Sequence, residues 1–285
     1  MTQKPLVLAV ETSGRIGSVA IALGEKILAE TTFSTPLGHS AEIFPVINDI
    51  LDRFSRKPDQ IDQVHISVGP GSFTGLRIAV TLAKTMHLAN DAKIVAVDTL
   101  DVIAANAIDY IKEENTTITF HAEQNEVEEP LSLSSTPIGE RQSPERIATI
   151  TDAKRGQFFI AVYQRNTSHE SRFTIHGIWQ KILTDSLMTA SQFLDKFATA
   201  DQPIWLLGDG LLYYKDKFKA DGIRFLDEKY WSPRAEKVHL LGWQKALAGQ
   251  FADPLTLQPA YLRAPDVKVK PKQPQKKLNT RNQQS

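Results

Sequence analysis

The chain has 285 residues, 41% of them hydrophobic and 23% charged, with 33 basic side chains against 33 acidic ones. That balance is ordinary for a globular protein, and the length suits one large domain or two modest ones. A formal net charge of zero supplies no global field for nucleic acid or membrane surfaces. A sequence without cysteine excludes disulfides, thiolate metal sites and a cysteine nucleophile. The N-terminal stretch has too few apolar residues for a signal h-region, and no run approaches the ~18 apolar residues of a membrane span. The expectation is a cytoplasmic protein with no membrane partner.

Leu6 to Val10 reads as an apolar strand, followed by turn residues from Thr12 to Gly17. Ser18 to Leu23 alternates, Gly24-Glu25 makes the next turn, and Ile27 to Phe33 forms a third strand, so an antiparallel meander is predicted. A helix is expected from about Ser40 to Phe54, with Ser40 as cap and Ile43, Ile47, Ile50, Leu51 and Phe54 in one stripe. Val64 to Val68 is a buried strand that runs through Gly69-Pro70-Gly71 into a helix starting near Thr74. Ile94 to Val97 is the next strand, and a helix of roughly Leu100 to Ile111 follows. Strands and helices in this order imply a mixed sheet covered by helices, an α/β lobe.

From Glu113 to Pro144 glutamates, prolines and serines dominate, and too few apolar residues remain to offset the entropy of ordering. A mobile acidic insertion is expected over 113–145, between an N-terminal lobe of 1–112 and a C-terminal lobe of 146–265. The second lobe starts with a strand, Arg146 to Asp152, and a hairpin through Asp152-Ala153-Lys154-Arg155-Gly156 into Phe158 to Tyr163. Another strand over Phe173 to Leu183 and a short helix from Ser191 to Phe197, capped by Thr189 or Ser191, come next. A strand from Pro203 to Leu207, a short helix near Leu211 to Phe218 and a last helix from about Arg234 to Ala248 complete it. The second half thus echoes the first. The Lys-, Gln- and Pro-rich end, 266–285, is expected to be a disordered basic tail.

Chemistry is sparse. Glu11 and Asp152 stand at strand ends beside turns, where α/β sheets present ligand contacts. A facing pair of carboxylates can hold a metal or act as acid and base, whereas each taken singly is better read as a turn cap. The glycine corner at 69–75 has neither the Lys-Ser/Thr of a Walker loop nor the spacing of a dinucleotide fingerprint. It serves either to bring a helix N-terminus to an anion or to let backbones pack closely. Candidates for a weak nucleotide or anion contact are Glu11, Thr12, Ser13, Ser72, Thr74 and Asp152. His39 is followed four residues later by Ile43, so no metal pair forms there. No cofactor, metal ligand or catalytic residue is assigned.

The run Gly69-Pro70-Gly71-Ser72-Phe73-Thr74-Gly75-Leu76-Arg77-Ile78 closely resembles the signature of the bacterial TsaB (YeaZ) family. Val10-Glu11-Thr12-Ser13, Gly38-His39-Ser40, Asp98-Thr99-Leu100, Asp152-Ala153-Lys154-Arg155-Gly156 and Pro259-Ala260-Tyr261-Leu262-Arg263 fall in the same order. Glu11 departs from the Asp usual in relatives, and one methylene displaces a carboxylate contact by about a bond length. The resemblance implies an actin-like ATPase (ASKHA) fold, two lobes each with a mixed sheet flanked by helices. It also implies a non-catalytic role in threonylcarbamoyl transfer to the adenosine beside the tRNA anticodon. The implied partners are a TsaD-type catalytic subunit and a TsaE-type ATPase, with a homodimer when the chain is alone and tRNA met only through the complex. Helices 41–54 and 75–90 would then carry the partner interface, through Ile43, Ile47, Leu76, Ile78, Leu82 and Met86. The second of these helices is apolar nearly all round, so cover on more than one side is expected. A stand-alone actin-fold ATPase or kinase is the alternative, and a peptidase ranks last.

Overall fold

β-branched and aliphatic residues in short runs, each ended by a tight turn, generate two successive sheets. The computed structural model describes residues 4–124, 143–166, 174–175 and 177–260. Residues 125–142 of the acidic insertion expected over 113–145, and 261–285 with the basic tail and Tyr261-Leu262-Arg263, lie outside the described residues. The first sheet comprises β1 (Leu6–Glu11), β2 (Ser18–Leu23), β3 (Lys26–Thr32), β4 (Gln63–Ser67) and β5 (Lys93–Val97), in the order β3-β2-β1-β4-β5. β1 runs antiparallel to β2 and parallel to β4. The second comprises β6 (Arg146–Asp152), β7 (Gln157–Arg165), β8 (Thr174–Ile175), β9 (Trp179–Thr189), β10 (Ile204–Leu207) and β11 (Ile223–Phe225), ordered β11-β10-β6-β7-β9-β8. Apart from the short β8, the second order is the first repeated, with β6 in the place of β1 and β7 in the place of β2. This duplicated mixed sheet is the actin-like fold.

Helices cover both faces of the first sheet. On one face α1 (His39–Arg53) and α2 (Phe73–Asn90) set Ile43, Ile47, Ile50, Ala79, Val80, Leu82 and Ala83 against Leu8, Val10, Val19, Ile21, Val64 and Ile66. The opposite face of the same strands is covered by α6 (Ala235–Leu247), which arrives from the far end of the chain and touches β1, β2, β4 and β5. Conversely α3 (Thr99–Gln124), which follows the first sheet, packs on β6 and β7. The two halves have exchanged helices. Buried Lys237 on α6 pairs with Asp109 on α3 at 2.6 Å. Asn106 donates to the carbonyls of Tyr230 and Ser232 at 2.9 and 2.8 Å. On its inner side α6 also stacks His239 on His65 of β4, with ring centroids 5.4 Å apart and planes 13° off parallel. Both imidazoles are buried, and a Cβ on Gly242 would fall 2.4 Å from His65 Nδ1.

Several boundaries differ from the sequence-based expectation. α1 starts one residue before Ser40, with Gly38 at its cap position and no side-chain cap bond. α2 begins at Phe73, capped by Ser72, and α3 continues to Gln124 instead of stopping near Ile111. Edge strand β11 was not anticipated; three residues are too few for a periodicity. α4 (Ala190–Phe197) has Thr189 as its cap, in a reciprocal box with Gln192. Short α5 (Leu211–Tyr214) follows β10. Among the described residues no helix is long and apolar enough to cross a membrane.

Candidate functional site

The β1–β2 turn, the α2 corner, the β6–β7 turn and the β10–α5 turn converge on a cleft of about 850 Å³. Its lining includes Ser13, Arg15, Ser72, Asp152, Asp209 and Tyr213. Of the sequence candidates, Ser13, Ser72, Thr74 and Asp152 therefore meet at one cavity, whereas Glu11 and Thr12 lie beneath its floor, both fully buried.

Each floor residue is engaged within the protein. Thr12 Oγ1 donates to the Gly75 carbonyl at 2.7 Å. The Ser13 carbonyl accepts from Ser72 N at 2.7 Å, and Ser72 Oγ accepts from Gly75 N at 3.3 Å, capping α2. This answers what the glycines are for. A Cβ on Gly75 would stand 1.8 Å from the Thr12 carbonyl oxygen, and one on Gly71 would stand 2.5 Å from that of Ser13. The corner is a backbone-to-backbone joint between α2 and the β1–β2 turn.

Glu11 Oε1 accepts from Ser13 N and Ser13 Oγ, both at 2.5 Å, and from Gly14 N at 3.4 Å. Burial raises its pKa, against the lowering by these bonds and by the Ser67 hydroxyl. Asp152 does the corresponding thing on the second hairpin, accepting from Lys154 N at 2.7 Å and Lys154 Nζ at 2.6 Å. Asp209, which sequence reasoning passed over inside an ordinary-looking Gly-Asp-Gly turn, accepts from Arg15 N at 3.2 Å and so links the two lobes. Burial, with the charges of Glu11 and Asp152, pushes its carboxyl up to about 6 despite the Arg15 bond. Above that link the Arg15 guanidinium lies 5.1 Å from the Tyr213 ring centroid. His39 sets Nε2 3.1 Å from the Gly14 carbonyl, and burial lowers its pKa.

The helices expected to meet a partner present a different set of residues from those chosen on hydrophobicity. Ile43, Ile47, Leu76 and Leu82 are buried inside their own lobe; Ile78 and Met86 are half-buried. Phe44 is 59% exposed and Phe73 45% exposed, and an Arg77 guanidinium sits 3.8 Å above the Phe73 ring. Nor is α2 apolar all round on its outer side, where Thr74, Arg77, Thr81 and Thr85 face outward. Its own lobe covers Leu76, Ala79, Val80, Leu82 and Ala83, whereas Leu88 on the same helix is 85% exposed.

Comparison with known proteins places this architecture. The family model for tRNA N6-adenosine threonylcarbamoyltransferase, TsaD, matches residues 26–127. A Bacillus subtilis (strain 168) relative named tRNA threonylcarbamoyladenosine biosynthesis protein TsaB is 25% identical over 268 residues, spanning 93% of this chain and 96% of its own length. The Escherichia coli (strain K12) protein of the same name is 23% identical over 90% of this chain and 94% of its own. The chain is similar to TsaB proteins over nearly its whole length. The solved structure of YeaZ from Pseudomonas aeruginosa superposes with a TM-score of 0.65 at 20% identity, covering 90% of this chain and all of the other. A second Pseudomonas aeruginosa structure, described as similar to peptidase YEAZ, gives 0.66 at 20% identity. Both share the fold of this chain, and the run at 69–78 coincides with the glycine joint.

Proposed function

We propose that this chain is a non-catalytic subunit in tRNA threonylcarbamoyladenosine biosynthesis, holding a TsaD-type catalytic subunit in working form. The observation that carries the reading is the near full-length match to relatives named for that pathway, 93% of this chain against 96% of the Bacillus subtilis protein. The site adds support. Asp152 and one oxygen of the buried Glu11 accept from turns of the protein itself, and His39 bonds a carbonyl while Ile43, one helical turn on, lies in the core.

The partner face proposed is the solvent side of α1 and α2, with Phe44 and Phe73 as anchors in place of their buried neighbours. Exposed aromatic rings bury much area at little entropic cost and dominate interfaces of this kind. A TsaE-type ATPase would join the assembled pair, tRNA would be met through the complex in the cytoplasm, and the same face would close a homodimer when the partner is missing. The peptidase label of one structural neighbour lends this chain no activity, because a fold does not carry a function.

Reconstitution with the catalytic subunit, the ATPase and unmodified tRNA is the test. Modification is expected to require this chain and to be lost with the Phe44→Asp, Phe73→Asp double variant. Affinity for the catalytic subunit should fall by at least about tenfold, since a charge replaces each anchor in a desolvated contact. Both positions are exposed, so circular dichroism of the variant should match wild type. Modification that proceeds equally without the chain defeats the proposal.

A further inference from the structure

The first sheet has a second cavity, of about 540 Å³, at the end away from the interlobe cleft. It opens where β1, β4 and β5 begin, roughly 17 Å along the strands from the cleft end of β1. Three cations line it, Lys4, Arg56 and Lys93, together with the carboxylates of Asp62 and Asp91. Side chains this long reach a neighbouring carboxylate easily, yet none of the three is ion-paired among the described residues. Lys93 Nζ has only the Phe251 ring, 4.8 Å from its centroid.

The hydrogen-bond accounting around the cavity is one-sided. Its acceptors are largely taken by the protein's own N–H groups. Asp62 Oδ2 accepts from Leu6 N at 2.7 Å, and Gln60 Oε1 accepts from Lys57 N at 2.9 Å. The Gln63 amide oxygen stands 3.1 Å from His65 Nε2. The side-chain NH2 groups of Gln60 and Gln63 make no bond among the described residues and remain as donors beside the cations. A lining rich in free donors calls for a ligand rich in acceptors, and an anionic one forms the strongest bonds with it.

Asp91 is the exception. It is the left-handed cap of α2, with φ 55°, and its exposed carboxylate carries no bond among the described residues. An ionised carboxylate only accepts, so it suits a hydroxyl of the ligand. The volume is larger than a bare phosphate needs and lies in the range of small-molecule sites. The apolar lining is confined to Pro5, Leu6 and Leu23, too little to select a base.

We infer that this cavity binds a ribose phosphate, with the phosphate on Lys4, Arg56 and Lys93 and a ribose hydroxyl on Asp91. The unit occurs in a free nucleotide and in an RNA chain alike. The site is separate from the interlobe cleft and from the outer face of α1 and α2, and it uses none of the residues proposed to hold the catalytic subunit.

Calorimetry on the full chain tests it with adenosine monophosphate, inorganic phosphate and an unmodified tRNA transcript, none of which requires the catalytic subunit. The monophosphate is expected to bind wild type at least about tenfold more tightly than inorganic phosphate, which leaves Asp91 without a hydroxyl. The double variant Lys4→Gln, Arg56→Gln should bind it at least about tenfold more weakly than wild type, with an unchanged urea midpoint. RNA that binds more tightly than the monophosphate, and is weakened by the same variant, identifies the source as RNA. The monophosphate binding as tightly as RNA identifies it as a free nucleotide. Equal binding by wild type and the double variant overturns the inference, as does equal affinity for inorganic phosphate and the monophosphate. A variant that loses stability while binding as wild type does also overturns it, because the cations then serve only the carbonyl ends of α1 and α2.

Discussion

Gly75→Ala is expected to prevent the N-terminal lobe from folding as described. The added methyl would stand 1.8 Å from the Thr12 carbonyl oxygen, well inside any van der Waals distance, and its neighbour is backbone in a buried turn. Relief requires α2 to move away from β1. That movement would break the Thr12 Oγ1 bond to the Gly75 carbonyl and pull Leu76, Ala79 and Ala83 from their buried positions. Overpacking of this severity costs more than about 4 kcal/mol, a large share of the total stability of a typical domain. Urea denaturation of the purified variant checks it, with Gly249→Ala as reference. A Cβ at Gly249 meets nothing within 4 Å, although its φ of +70° imposes modest strain. Equal midpoints for the two variants would mean that the joint is not as tight as its distances say.

A second large effect is expected below neutral pH. His65 is buried against His239, and desolvation, then the neighbouring imidazole, lower its pKa to about 3. His239 is shifted down as well, through burial, against bonds to the Glu25 and Gly24 backbone. The other groups facing the pair are the Gln63 amide oxygen, 3.1 Å from His65 Nε2, and the Glu25 carbonyl, 3.2 Å from His239 Nε2. A base whose folded pKa lies below its ordinary 6.5 binds fewer protons folded than unfolded over that interval. The stability it contributes is complete above 6.5 and is lost as pH falls toward 3. At roughly 1.4 kcal/mol per unit, His65 alone accounts for at most about 5 kcal/mol. Comparing urea midpoints at pH 7.5 and 4.5, His65→Leu is expected to be somewhat less stable than wild type at the higher pH. At the lower pH it should be equal or more stable. Parallel declines in the two proteins would remove the imidazole as the cause. Asp209 and Glu11, both shifted upward, act with the opposite sign, so the difference between the two proteins isolates His65.

Much of the fold was legible because its elements carry strong local patterns. The β1–β3 meander, the strand–glycine–helix corner and the echo of the first half in the second all follow from periodicity and turn residues, and the sheet orders bear them out. What local pattern does not encode is destination. The stripe on α6 says that one side must be covered, but not that β1 and β4 cover it. The same limit governed the site. Choosing interface residues by hydrophobicity selected Ile43, Ile47, Leu76 and Leu82, which are buried within their own lobe. Phe44 and Phe73 are large, apolar and exposed, off the buried stripe. Asp209 escaped notice because one Asp between two glycines looks like any turn, and only the second lobe's approach to Arg15 gives it a role.

The helix exchange bears on how the molecule comes to exist at all. A nascent chain that ends after α3 has completed the first sheet yet lacks α6, so the strand face carrying Ala9 and Ala20 would be open to water. It would also carry Val102, Ile103 and Ala107 on a helix whose covering sheet is not yet made. Neither half is an autonomous folding unit, despite their internal likeness, and the contacts that close both cores span well over a hundred positions, as from Ser18 to Ala235. Folding with such distant contacts is slow, and unfolding should be a single cooperative event. Synthesis must therefore reach the far end of α6 before the core between the two sheets is sealed.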